Sequence, residues 1–118
     1  MIVLLILFLL QIKHWYVDFV NQSDAEVQAK GIYGDIIGIY HSIKHGIYTY
    51  FVFLLIEPYL VALLVALIDT ILHYHIDWTK RNYGNQDIQN KKFWAHLGLD
   101  QMAHQICYLG YVSYFVMV

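Results

Sequence analysis

The chain opens with an unbroken apolar run from Met1 to Leu10, and its apolar character continues past Gln11, Lys13 and His14 to about Gln22. That is roughly 20 residues, enough for an α-helix to cross a bilayer. No basic stretch precedes the run and no small-residue cleavage site follows it, so it reads as a retained span rather than a secretory leader. Ser23, Asp24 and Glu26 have the pattern of a capping box and predict a short interfacial helix over Ala25 to Lys30, broken by Gly31 and Gly34. A second long segment runs from Asp35 to about Glu57. Pro58 suits the first turn of a new helix, which makes Glu57-Pro58 a tight turn and begins a third span, Pro58 to about Asp77. Trp78 to Asn90 is polar, contains Gly84 and reads as a loop, and Lys91 to Val118 forms a fourth helical segment. The expected fold is therefore all-α: a polytopic membrane protein with four transmembrane helices in one antiparallel bundle, a short interfacial helix after the first span, and a single domain over residues 1–118.

Composition agrees with the pattern. Of 118 residues, 59% are hydrophobic and only 14% charged, against about 25% charged in average domains. A net charge of -2 and one cysteine, Cys107, disfavour a basic nucleic-acid-binding domain and a disulfide scaffold. With helices alternating in direction, all seven basic residues fall near the face that carries the 22–35 connection and the 78–90 loop. The positive-inside rule makes that face cytoplasmic and places both termini on the periplasmic side of a bacterial inner membrane. Lys13 and Lys44 lie inside helices and must snorkel or pair.

Each long helix also carries ionisable residues four apart, a spacing that stacks them on one helical face. The stripes are His14, Asp18 and Gln22; His41 and His45, followed by Thr49; Asp69, His73 and Asp77; and His96, Asp100 and His104. At 1.5 Å per residue, Asp69 lies roughly 12 Å from Asp77, so the stripes reach from the cytoplasmic surface to about mid-membrane. Such groups are costly in lipid and must face inward. They can converge on one cavity with Asp69 and His104 as its floor. Histidine nitrogen and carboxylate oxygen on facing helices suit zinc, manganese or iron; the same groups also suit a purely protein Asp-His network. His75 points to a different face from His73, and His96 sits beside Phe93 and Trp94 in a sequence that fits an interfacial belt. The tyrosines, Tyr108 and Tyr111 among them, are read as interfacial, and Cys107 as packing.

Taken in order, HxxxDFxxQ at His14 to Gln22, Ala29-Lys30, HxxxH at His41 to His45, HxxxDxxK at His73 to Lys80 and DQxxH at Asp100 to His104 resemble a family of small integral membrane proteins. That family occurs in bacteria and their phages and is grouped as a domain of unknown function. The resemblance covers nearly the whole chain and implies a small bacterial or phage membrane protein, with no established reaction. In residue type the pattern is also distantly similar to membrane-bound metal-dependent hydrolases. Asp69 and His96 lie outside the resembling motifs.

The leading functional expectation is a metal-dependent hydrolase at the cytoplasmic leaflet, acting on a lipid-linked or amphipathic substrate. One or two divalent transition-metal ions would draw on His41, His45, Asp69, His73, Asp77, Asp100 and His104, with Asp18 as catalytic base or second-metal ligand and His14 as its partner. Gln22, Lys30, Lys80 and Gln101 are the expected substrate-binding residues, the lysines attracting a phosphate or an anionic lipid head. Two alternatives use the same residues: an ion transporter or proton relay, and a noncatalytic membrane interaction protein whose His/Asp network fixes helix register. The expected partners are membrane lipids and no nucleic acid. Gly38 and Gly46 permit the close packing of a homo-oligomer without specifying one.

Overall fold

The structure, a computed structural model, describes residues 1–117 and is helical throughout its regular elements. Helix α1 spans Ile2–Trp15 and continues without a break into a π-helical turn, Tyr16–Val20. Then come α2 (Asp24–Ala29), α3 (Ile36–Phe53), α4 (Tyr59–Tyr83) and α5 (Lys91–Tyr111), the last continuing into a second π turn, Val112–Val116.

Local chemistry explains most boundaries. The capping box forms as its spacing requires: Ser23 Oγ accepts from the Glu26 amide at 3.2 Å, and Glu26 Oε2 accepts from the Ser23 amide at 2.8 Å. Gly34 supplies the left-handed backbone, φ +85°, that turns the chain before Asp35 caps α3. Pro58 precedes α4, and the Asn90 side chain caps α5 by accepting from the Lys92 amide at 2.9 Å.

Three expectations change. The second segment ends as a helix at Phe53 rather than near Glu57, and residues 54–58 connect it to α4. The third helix does not stop at Asp77 but runs through Trp78, Lys80 and Arg81 to Tyr83, leaving a shorter loop before α5. Polar residues such as Thr79, Lys80 and Arg81 are compatible with a helix, and helix formation has no reason to stop before Gly84. More consequentially, four membrane spans are not supported. Two segments, Ile2–Val20 and Tyr59–Tyr83, are long and apolar enough to cross a membrane. Helix α3 is interrupted by His41, Lys44 and His45, and α5 by Lys91, Lys92, His96, Asp100, Gln101 and His104, so neither has the required apolar window. The fourth segment was expected to reach Val118, which lies outside the described residues.

The long helices alternate in direction and divide the interior into two zones. At the end holding the start of α1 and the α3–α4 turn, Ile6, Leu10, Phe53, Ala62, Val65, Tyr108, Tyr111 and Val112 form a closed apolar core. Toward the other end the interior is filled by buried Asp18, Glu26, Lys30, His41, His45, His73, Asp77, Asp100 and His104. The outer surface is the reverse of a water-soluble bundle: Leu4, Phe8, Leu55, Leu60, Leu63, Leu67, Ile71, Ile106 and Leu109 are all exposed. Helices α3 and α4 pack closely at Gly46, where an added Cβ would meet the Thr70 hydroxyl and come within 3.0 Å of the Ala66 carbonyl oxygen.

Candidate metal centre

Five segments deliver the polar interior. The π turn after α1 carries Asp18; the wider turn there re-aims the carboxylate across the bundle toward α3, the kind of local defect often found at functional sites. His41 and His45, one helical turn apart on α3, both direct Nε2 to Asp18 Oδ1, at 3.0 and 2.8 Å. From α4, His73 Nε2 lies 3.6 Å from the same oxygen and 3.0 Å from Asp77 Oδ2, the latter without hydrogen-bond alignment. From α5, His104 Nε2 lies 3.2 Å from Asp77 Oδ1 and 3.5 Å from Asp100 Oδ1.

These distances create overlapping donor sets. Asp18, His41, His45 and His73 each offer one ligand atom, all within 4.8 Å of one another, and all four residues are buried. Asp18, His73, Asp77 and His104 form a second such quartet, and His14, His73 and His104 a triad. The quartets share Asp18 and His73. A carboxylate has an oxygen for each side, whereas His73 Nε2 can serve only one at a time.

Three further observations fit these residues to a metal. His73 has no hydrogen-bond partner at either ring nitrogen, and His45 Nδ1 and Asp77 Oδ2 are likewise buried without one; orphaned buried polar groups are expensive unless something binds them. The donors are imidazole nitrogen and carboxylate oxygen, the set preferred by zinc and other first-row ions. Finally, Glu26 Oε1 accepts from His41 Nδ1 at 3.1 Å, which orients the ring so that Nε2, facing Asp18 Oδ1, points into the cluster. A carboxylate behind a histidine is the usual support for a metal ligand. The buried His/Asp groups can thus hold a metal ion.

The site's polar rim lies on or beside α2. Burial pushes the Glu26 carboxyl up, but the Lys44 ammonium 2.5 Å away, the Ser23 amide and hydroxyl, and His41 outweigh it and hold its pKa at about 2. Burial likewise disfavours charge on Lys30. The Asp77 carboxylate at 3.3 Å and Asp18 at 3.9 Å reverse that and hold the ammonium above the ordinary lysine range.

The other expected site residues are distributed as follows. His14 reaches the cluster, 3.5 Å from Asp18 Oδ2, with Nδ1 3.0 Å from the Tyr108 hydroxyl and Nε2 2.6 Å from Gln101 Oε1. Gln101, one of the expected substrate-binding residues, bonds His14 and donates to Asp100 Oδ2 at 3.1 Å. Asp100 borders the cluster and pairs with Lys80 at 3.4 Å. Gln22 donates to the Asp18 carbonyl at 2.8 Å, while its Oε1 is buried without a partner.

Asp69 is the clear departure from the expected ligand pool. Its Oδ2 accepts from Lys13 at 2.7 Å and Thr49 at 2.6 Å, and its Oδ1 from Tyr111 at 3.1 Å. Both oxygens are committed, and Asp69 stands apart from the metal-capable groups. His75 is exposed and bonds the Tyr33 hydroxyl and the Ile71 carbonyl, and His96 Nδ1 accepts from the Asn85 amide at 2.8 Å and holds the loop. Glu26, Lys13, Tyr108 and Tyr111 are the contributors not anticipated. Glu26 was visible only as a helix cap, and nothing in local spacing pairs Lys13 with Asp69.

A family model described as a protein of unknown function (DUF3307) matches residues 4–118. The chain belongs to this family. The match covers nearly the whole chain, and it brings no reaction with it. Comparison with curated proteins and with solved structures finds no match.

Proposed function

We propose that the protein is a membrane-embedded, metal-dependent hydrolase whose centre lies in the cytoplasmic half of the bundle. The observation that carries this reading is the convergence of Asp18, His41, His45 and His73, from three helical segments, on a volume small enough for one ion. Placement in the membrane is supported by the two apolar helices and by the exposed leucines and phenylalanines around them. Orientation follows from charge: Lys30, Lys44, Lys80, Arg81, Lys91 and Lys92 gather at the site's end, while Lys13 is consumed inside by Asp69.

A bound zinc, manganese or iron ion would supply Lewis acidity and a water acidic enough to attack at neutral pH. The protein supplies the remainder. Asp77 Oδ2, 3.3 Å from the Lys30 ammonium and 3.5 Å from His41 Nε2, would serve as the general base beside such an ion. Lys30, cationic beside Asp77, is placed to face an anionic substrate group at the mouth. At the far end the apolar core closes the bundle, which favours chemistry at one side over conduction through it.

Elemental analysis of protein purified in mild detergent without chelators tests the reading. It requires a transition metal in near-integer ratio, and well-folded protein without metal overturns it.

A further inference from the structure

Two cavities border the centre, and they share Lys80 and His96. The larger, about 490 Å³, is an open groove between α4 and α5 walled by Leu72, Ile76, Tyr83, Leu99 and Ala103. Its volume lies within the roughly 300–1,000 Å³ of ordinary small-molecule sites. The smaller, about 220 Å³, sits under α2 and the 84–90 loop, and Lys30, Lys80 and Arg81 line it. Its lining includes three cations and, among the described residues, no carboxylate.

The charges differ in how they are balanced. Lys30 faces Asp77 and Asp18, and Lys80 faces Asp100. Arg81 is held by neutral amides, donating to Gln28 Oε1 at 2.6 Å and Gln86 Oε1 at 2.7 Å, so its charge has no carboxylate partner among the described residues. Gln22 Oε1, buried and unpartnered, borders the same cavity and could accept from a hydroxyl on a headgroup. An apolar groove open on the flank of the bundle thus meets a cationic cup beside the His/Asp cluster.

We infer that the protein binds a single-chain lipid with a phosphate head, its chain in the α4–α5 groove and its phosphate beneath Lys30, Lys80 and Arg81. Charge complementarity selects the head, because a guanidinium and two ammonium groups match phosphate oxygens. The groove selects the chain and lets it enter sideways from the bilayer. As a substrate assignment this rests on the metal-centre reading above; as a binding site it does not.

The test is a competition measured by native mass spectrometry, using 1-oleoyl lysophosphatidic acid, monooleoylglycerol and inorganic phosphate, with metal content determined on the same preparations. The lysophosphatidic acid should bind at least about tenfold more tightly than either of the others. Ala103→Trp and Leu72→Trp, which fill the groove, and Arg81→Gln, which removes the uncompensated charge, should each weaken it about tenfold or more. Equal binding of monooleoylglycerol removes the phosphate cup, and equal binding of inorganic phosphate removes the groove; either overturns the inference. Unchanged affinity in both tryptophan variants does the same. Metal present without lipid discrimination defeats this inference alone, whereas selective lipid binding by metal-free protein supports it and defeats the hydrolase reading.

Discussion

His73 stacks on His45 with ring centroids 3.5 Å apart and planes inclined by 27°. Its other face meets His104 at 4.2 Å, also at 27°. A central imidazole with both nitrogens unpartnered contributes little as a hydrogen-bonding strut, but it presents a lone pair to either quartet. His73→Ala is therefore expected to lower metal affinity at least about 100-fold, beyond the 10–100-fold loss usual for a supporting residue. Metal titration of the folded variant in detergent checks this, and unchanged affinity would place the ion elsewhere.

Glu26 offers a separable case, because it supports His41 without belonging to the donor quartets. Its pKa in the folded protein, about 2, lies below the ordinary 4.5, so between these values the unfolded chain binds more protons than the folded one. The stabilisation is complete above about pH 4.5 and is lost as pH falls through about 2. Thermal unfolding of wild type and Glu26→Gln should differ most above pH 4.5 and converge toward pH 2. A difference constant over that range would show that the carboxylate's charge contributes nothing.

Lys13 and Asp69 form a buried pair 2.7 Å apart, outside the donor quartets. Removing one partner strands the other: Lys13→Met or Asp69→Leu alone should cost about 3–5 kcal/mol, and the double variant should recover most of it. Denaturation in mild detergent gives the stabilities. Metal content should stay at the wild-type ratio in Asp69→Asn; its loss would return Asp69 to the ligand set.

At Gly46 the constraint is steric. The Thr70 hydroxyl that a Cβ would strike already donates to the Ala66 carbonyl at 2.8 Å, so moving it costs a hydrogen bond. Gly46→Ala should destabilise the α3–α4 contact by about 1–3 kcal/mol, the usual cost of overpacking. Gly98→Ala is the control, since a Cβ there meets nothing within 4 Å. Equal unfolding temperatures for the two variants would refute the close approach.

Much of the site was legible locally because an α-helix repeats every 3.6 residues. The pairs His41/His45, His73/Asp77 and Asp100/His104 needed only spacing to be placed on inward faces. The capping box at Ser23 and the start of α4 behind Pro58 were equally local, whereas the end of α3 at Phe53 was not. Membrane spans were less so, since a stripe of ionisable residues gives α3 and α5 helical periodicity while removing the continuous apolarity of a span.

By itself, then, the sequence determined the helices, their order and the polar face of each, all properties of residues within a few turns of one another. Tertiary structure alone decided that Lys13 claims Asp69, that Glu26 orients His41, and that the π turn brings Asp18 to two histidines on another helix. Those are contacts between residues far apart in the chain, and no period encodes which of several inward-facing charges will meet.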